Sequence, residues 1–229
     1  MSESTIVFPL FPGVTQLDFT GPLEVLSRLP GARTVLASRT GGELQGSGGV
    51  TFAHLTPLAH VTGCLVVCVP GGFGTTEAML DAEYLRELRR LAAGARYVTS
   101  VCTGALLLGA AGLLRGRRAA CHWAFRDLLP LFGAEPDPAR VVRDGNVITG
   151  GGVTAGIDLG LTVLAELAGR EFAESVQLAL EYAPEPPLDA GRPERASPLA
   201  RTQVLQRIEA LAPDRRAAAE RAAQSLHGA

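Results

Sequence analysis

Three short stretches of this chain are apolar on both faces, and that restricts the folds open to it. TIVFPLF (5–11), CLVVCV (64–69) and YVTSV (97–101) lack the in–out alternation of a half-solvated sheet. A strand buried on both faces belongs to a parallel sheet covered by helices on either side. The intervening segments supply those helices. GPLEVLSRL (21–29) reads as a helix with Thr20 as its N-cap and Pro22 in its first turn. Residues 76–93 place Leu80, Leu85, Leu88 and Leu91 at helical spacing, and 103–114 is apolar all round. A short helix is expected at 124–132, and two amphipathic ones at 154–168 and 171–182. RTVLAS (33–38) is a further strand. The five glycines of 41–51 and the Asp144-Gly145 pair within 141–150 mark hairpin turns. The expected fold is α/β.

A composition change after Ala183 sets the domain organisation. Residues 1–183 carry the αβ pattern, while 184–198 contain five prolines and read as an extended linker. Beyond it Val204, Leu205, Ile208 and Leu211 recur at helical spacing until Pro213, and an Ala/Arg-rich stretch follows at 214–229, helical but frayed. One apolar stripe is not a core. The tail 184–229 is either disordered or docked on the main body or on a second subunit.

Composition then removes several chemistries. All 21 basic residues are arginine, so there is no Walker-A lysine and no Schiff-base lysine. The net charge of −2, without a basic stripe, argues against a nucleic-acid partner. The apolar stretch 97–114 reaches the lower limit of a membrane span, but its Ser-Val-Cys-Thr-Gly interruption reads as a strand turning into a buried helix. The first residues lack the basic start of a signal peptide, and four cysteines in apolar settings are no disulfide framework, so the expected compartment is the cytoplasm. Cys64 and Cys68 lie on one strand without a second pair, so no zinc site is expected.

The candidate chemistry gathers at SVCTGA (100–105), where a strand ends, Cys102 follows, and Thr103-Gly104-Ala105 opens a helix. Such a nucleophile elbow projects the sulfur from the carboxyl edge of the sheet, where open α/β folds bind ligands. A helix N-terminus favours thiolate, and the Thr103 N–H supplies half of an anion hole. PGGFG (70–74) follows a strand at the same edge, and Gly72 is the candidate for the other half. Asp18 in QLDFTGP either caps a helix or is a carboxyl of raised proton affinity beside the sulfur. TGGGVTAG (149–156), with Gly151, brings further backbone to that edge. His122 either approaches Cys102 or packs at the start of a helix; His54, His60 and His227 form no dyad with it. Cys64, Cys68 and Cys121 read as small buried hydrophobes. With no lysine to lower its pKa, Cys102 depends on the helix N-terminus, backbone N–H groups, Asp18, or an arginine that the sequence does not place.

FPGVTQLDFTGP (11–22), SVCTGALLLGAAGLL (100–114), ACHW (120–123), VVRDGNVITGGGVTAGIDL (141–159) and LEYAPEPPLDAG (180–191) together resemble the isonitrile hydratase branch of the ThiJ/PfpI, class I glutamine amidotransferase-like superfamily. The resemblance implies a flavodoxin-like three-layer sandwich and a homodimer with the active site near the interface. It also implies Cys102 as nucleophile, Asp18 as its acidic partner, Thr103 as the residue after the nucleophile, and Val153 at a position whose backbone lines the site. Protease-like members carry His after the Cys, and many others carry Glu where Asp18 stands, so both departures point to the hydratase branch. The implied reaction is addition of water to a small apolar isonitrile through a thioimidate, with no metal or organic cofactor. The rival is a metabolite- or redox-sensing domain like those of AraC-type regulators.

Overall fold

The computed structural model describes residues 4–227. Its chain order is β1 (Ser4–Leu10), α1 (Gln16–Leu26), β2 (Ala32–Ser38), β3 (Gly42–Gln45), β4 (Thr51–Pro57), β5 (Val66–Val69), α2 (Thr75–Ala78), α3 (Ala82–Gly94), β6 (Tyr97–Val101) and α4 (Gly104–Ala110). There follow β7 (Arg118–Ala119), a 3₁₀ helix (Arg126–Phe132), β8 (Glu135–Pro136), β9 (Val141–Asp144), β10 (Val147–Gly150), α5 (Ala155–Ala168), α6 (Arg170–Ala179), α7 (Pro198–Leu211) and α8 (Arg215–His227).

Eight strands form one sheet in the order β3-β4-β2-β1-β5-β6-β10-β9. The six inner strands are parallel, and the two edges are closed by the antiparallel hairpins β3/β4 and β9/β10. Both hairpins fall where the glycine-rich turns place them. β1, β5 and β6 are buried along most of their length, as their two-sided apolar sequences require. Helices cover both faces: α1 packs on α5, and α4 packs on α3, the 3₁₀ helix and α8. The sheet is mostly parallel and the sandwich three-layered.

Three local departures matter. First, α1 begins at Gln16, five residues before the expected Gly21, with Thr15 at the N-cap and Pro22 inside the helix. Asp18 is therefore in the first helical turn, where unpaired N–H groups gather. Second, 97–114 resolves into β6, the elbow and a short α4 of seven residues. No helix among the described residues is long and apolar enough to cross a membrane. Third, the Ala/Arg-rich segment after Pro213 is a well-packed helix, not a frayed one; residues 228–229 lie outside the described residues, as does the side chain of His227. Ala218 and Ala219 of α8 are fully buried, whereas α7 buries none of its residues.

Candidate active site

At the end of β6 the chain turns through Cys102 with φ +58°, a left-handed conformation that a residue with a Cβ holds only under constraint. Two contacts supply the constraint. The Cys102 N–H donates to Gly150 O on β10 at 3.1 Å. Gly104 presses α4 against β5 so closely that a Cβ would lie 2.2 Å from Val69 O. The elbow is thus fixed between both neighbouring strands, with its sulfur at the carboxyl edge.

Cys102 opens onto a cavity of about 110 Å³ lined also by Thr15, Gly72, Phe73, Thr103, His122, Phe125, Val153, Ile208 and Arg215. The space suits a slim group. Asp18 stands behind it, fully buried. Its Oδ2 accepts the Gly71 N–H at 2.8 Å, while Oδ1 is buried with no hydrogen-bond partner among the described residues. Only glycine fits at 71, because a Cβ would lie 2.9 Å from Asp18 Oδ2 and 2.6 Å from Thr103 N. Burial raises the Asp18 pKa to about 7, against the Gly71 N–H and the Cys102 thiol, which lower it. Carboxyl and thiol act on each other: the thiol favours the Asp18 anion, and the Asp18 charge disfavours a thiolate.

Burial also pushes the Cys102 thiol well above its ordinary range, and negative charge on Asp18 and Cys121 pushes it the same way; the Thr103 N–H opposes them. This corrects the expected thiolate. The field of a seven-residue helix does not offset the removal of a sulfur anion from water. The resting pair at neutral pH is a protonated thiol beside a carboxyl that titrates near 7.

Thr103 follows Cys102 with its N–H directed to the sulfur and its hydroxyl turned away. The Gly72 N–H donates to Thr103 Oγ1 at 3.0 Å, and Thr103 Oγ1 pairs with Thr75 Oγ1 at 2.9 Å. Gly72 therefore lines the cavity, but its amide is engaged and is not an open half of an anion hole, because the threonine hydroxyl reaches it first. The Gly151 N–H is likewise engaged, donating to Arg140 O at 2.9 Å. Gly151 lines a neighbouring groove of about 820 Å³ rather than the Cys102 cavity, and Val153 and His122 line both.

His122 combines the two alternatives: its ring is tilted against Trp123 and Phe125, and it walls the Cys102 cavity. Burial, with the Arg215 charge adding, lowers its pKa to about 4. The Ala124 N–H donates to Nδ1 at 3.3 Å, so the neutral ring carries its proton on Nε2. Of the other cysteines, Cys68 is fully buried in β5, Cys64 is half-buried on the approach to it, and Cys121 lines the groove. Among the described residues no group of three or more His, Cys, Asp or Glu is placed to hold a metal ion.

Four contributors escape sequence reasoning. Gly71 was one residue from the position singled out. Phe73 and Phe125 give no signal beyond being aromatic. Arg215 is the first residue of α8 and only 2% exposed. Its Nη2 donates to Gly72 O (2.9 Å) and Phe73 O (2.7 Å), its Nε to Thr76 Oγ1 (3.1 Å), and its guanidinium lies 4.5 Å from the Phe125 ring centre. Nothing in the Ala/Arg-rich stretch around it marks it out from the other arginines.

The chain is 48% identical to the isonitrile hydratase of Pseudomonas putida over 222 residues, 97% of each chain. A crystal structure of a ThiJ/PfpI family protein from Pseudomonas syringae superposes with a TM-score of 0.90 at 39% identity, covering 97% of this chain and 91% of that one. The HTH-type transcriptional regulator CdhR of Pseudomonas aeruginosa is 31% identical over 178 residues, 74% of this chain but 52% of the regulator. The model of the DJ-1/PfpI family matches residues 4–166, which take in every strand, the elbow and Asp18. By sequence and by fold, the chain belongs to the DJ-1/PfpI family.

Proposed function

We propose that this protein is a cysteine-dependent isonitrile hydratase, converting R–N≡C and water to the N-substituted formamide. The observation that carries the reading is the near-full-length identity to the Pseudomonas putida isonitrile hydratase, which takes in the tail as well as the elbow. The site supports it chemically. An isonitrile is uncharged and slim, and Phe73, Phe125, Val153 and Ile208 give the small cavity an apolar lining.

The roles assigned here follow the proton. Cys102 attacks the terminal carbon as a thiol while the Asp18 carboxylate takes its proton, so a free thiolate never accumulates in the buried site. Asp18 then delivers that proton to the same carbon, giving the thioimidate R–N=CH–S–Cys102. A pKa near 7 suits a group that must accept and donate in turn. In the second half Asp18 takes a proton from water as its oxygen adds to the thioimidate carbon, and passes that proton to the nitrogen, returning to the carboxylate. The C–S bond breaks, sulfur recovers a proton from the new hydroxyl, and R–NH–CHO leaves. No step draws on a metal or organic cofactor. The Thr103 N–H stabilises charge on sulfur, and Gly72, Gly151 and Val153 shape the approach.

We further read the protein as a cytoplasmic homodimer, on the resemblance and on the exposed apolar residues of α7. The hydratase reading is tested by mixing purified protein with an aryl isonitrile and following formamide. Turnover is expected, falling at least a thousandfold, roughly, in Cys102→Ala. Unchanged turnover in that variant would sink the mechanism. Stoichiometric binding or oxidation without turnover would favour the sensor reading, to which the regulator relative lends support.

A further inference from the structure

We propose that Arg215, carried into the site by the C-terminal helix, is a positioning residue that holds the 72–73 loop and supplies the positive charge favouring an anionic Cys102 sulfur. Three independent observations converge. The residue is nearly fully buried although Arg216 and Arg221 of the same helix are exposed, and its side chain lines the cavity onto which Cys102 opens. Its hydrogen bonds go to two carbonyls and a threonine hydroxyl, and among the described residues it has no carboxylate in ion-pair contact. Its positive charge is therefore not taken up by an ion pair; Glu77 is the carboxylate that acts on it, through space. Its Nη1 has no acceptor among the described residues, and Phe125 holds the flat face of the group.

Both functions follow from the geometry. By fixing the carbonyls of Gly72 and Phe73, Arg215 fixes the loop whose preceding N–H groups, from Gly71 and Gly72, bind Asp18 and Thr103. A charged guanidinium in a dry cavity lowers the cost of charge on sulfur as the Cys102 proton passes to Asp18. The other titratable or charged groups around the pair are Asp18 on α1, Glu77 on α2, Cys121 and His122 between β7 and the 3₁₀ helix, and Arg126 and Asp127 in that helix's first turn. His122 is neutral at pH 7. Arg215 is the buried cation among them.

This inference rests on the reading of Cys102 as the nucleophile, and its test does not need an isonitrile. The rate of Cys102 alkylation by iodoacetamide, mapped by mass spectrometry, is measured against pH for the native protein and for Arg215→Met and Arg215→Lys. The midpoint is expected to rise by about one pH unit in the Met variant, roughly a tenfold slower alkylation at neutral pH. The Lys variant is expected to recover at least half of that shift, because it restores charge without the planar fork. A folded Met variant with the native profile would overturn the proposal, as would a Lys variant no better than Met. Should Arg215→Met not fold, the native protein decides. Anionic iodoacetate should then react with Cys102 at least threefold faster, relative to iodoacetamide, than it does with a free cysteine in the same buffer, roughly the pull of one nearby cation; an equal or lower ratio would overturn the proposal. Native protein that alkylates as described but turns over no isonitrile would overturn the hydratase reading alone.

Discussion

The two helices of the C-terminal tail reverse what their compositions lead one to expect. α7 carries the apolar stripe, yet Val204, Leu205 and Leu211 are 42%, 43% and 49% exposed. α8 is rich in alanine and arginine, yet it buries Ala218, Ala219, Ala222 and Ala223 on the body and brings Arg215 into the Cys102 cavity. The same inversion occurs at the start of α1, where Leu17 is 38% exposed and its neighbour Asp18 is fully buried. Burial here follows fit and specific partners rather than hydropathy. Small alanines let α8 approach α4 and the 3₁₀ helix closely, and the buried polar groups find backbone partners, which offset their desolvation only in part at Asp18.

The strongest way to sharpen this contrast is to remove the buried carboxylate. Between about pH 4 and pH 7 the folded chain holds a proton on Asp18 that the unfolded chain has released, so stability falls as pH rises through that window and stays lost above it. Asp18→Asn removes this term. It is expected to raise stability at pH 8 by up to about 4 kcal/mol while abolishing turnover, as read from urea denaturation and formamide assay. His122 works in the opposite direction. Its folded pKa near 4 lies below the unfolded value, so its contribution is present above about pH 6.5 and lost as pH falls towards 4. The two slopes partly cancel in the native protein. Denaturation at several pH values should show stability climbing from pH 4 to 6.5 in Asp18→Asn, and falling over the same range in His122→Phe.

A third change breaks the contrast from the tail side. Ala219→Asp puts an unpaired carboxylate into the α8 interface and should cost about 3 kcal/mol, with loss of activity as Arg215 is withdrawn. Full activity and stability would show that α8 docking is dispensable. The smallest effect is expected on the apolar helix: Leu205→Ala on exposed α7 should change the stability of a single chain by less than about 0.5 kcal/mol. A larger loss that grows with protein concentration, read with sedimentation equilibrium, would place a second copy of the chain on that face.

Most of the scaffold was legible because sheet burial writes itself into periodicity. β6 at 97–101 and the β9/β10 hairpin fall where apolar runs and turn residues put them. The start of α1 was not legible, since a buried aspartate interrupts the apolar pattern and Pro22 mimics a first-turn position. The long helix expected at 76–93 is two, α2 and α3, because Asp81 accepts the N–H groups of Glu83 and Tyr84 and so starts a new helix. At the site, the elbow, Asp18, Thr103 and Val153 were named from sequence, whereas the engagement of the Gly72 and Gly151 amides needed coordinates. A glycine run announces that backbone approaches something, not what it approaches.

The lack of lysine follows from sequence alone, and with it the demand that any positive charge at Cys102 come from arginine or backbone. So do the parallel sheet and the elbow, because both are local consequences of apolar runs and a strand–Cys–helix junction. Which of 21 arginines lines the Cys102 cavity was decided by the tertiary structure. Arg215 stands 113 residues beyond the elbow in an Ala/Arg-rich stretch, and its place at the cavity arises from the docking of α8. The same holds for protonation: no motif states that Cys102 rests as a thiol and Asp18 titrates near 7. Those states are set by the water that folding removes, and desolvation belongs to the assembled site rather than to any segment of the chain.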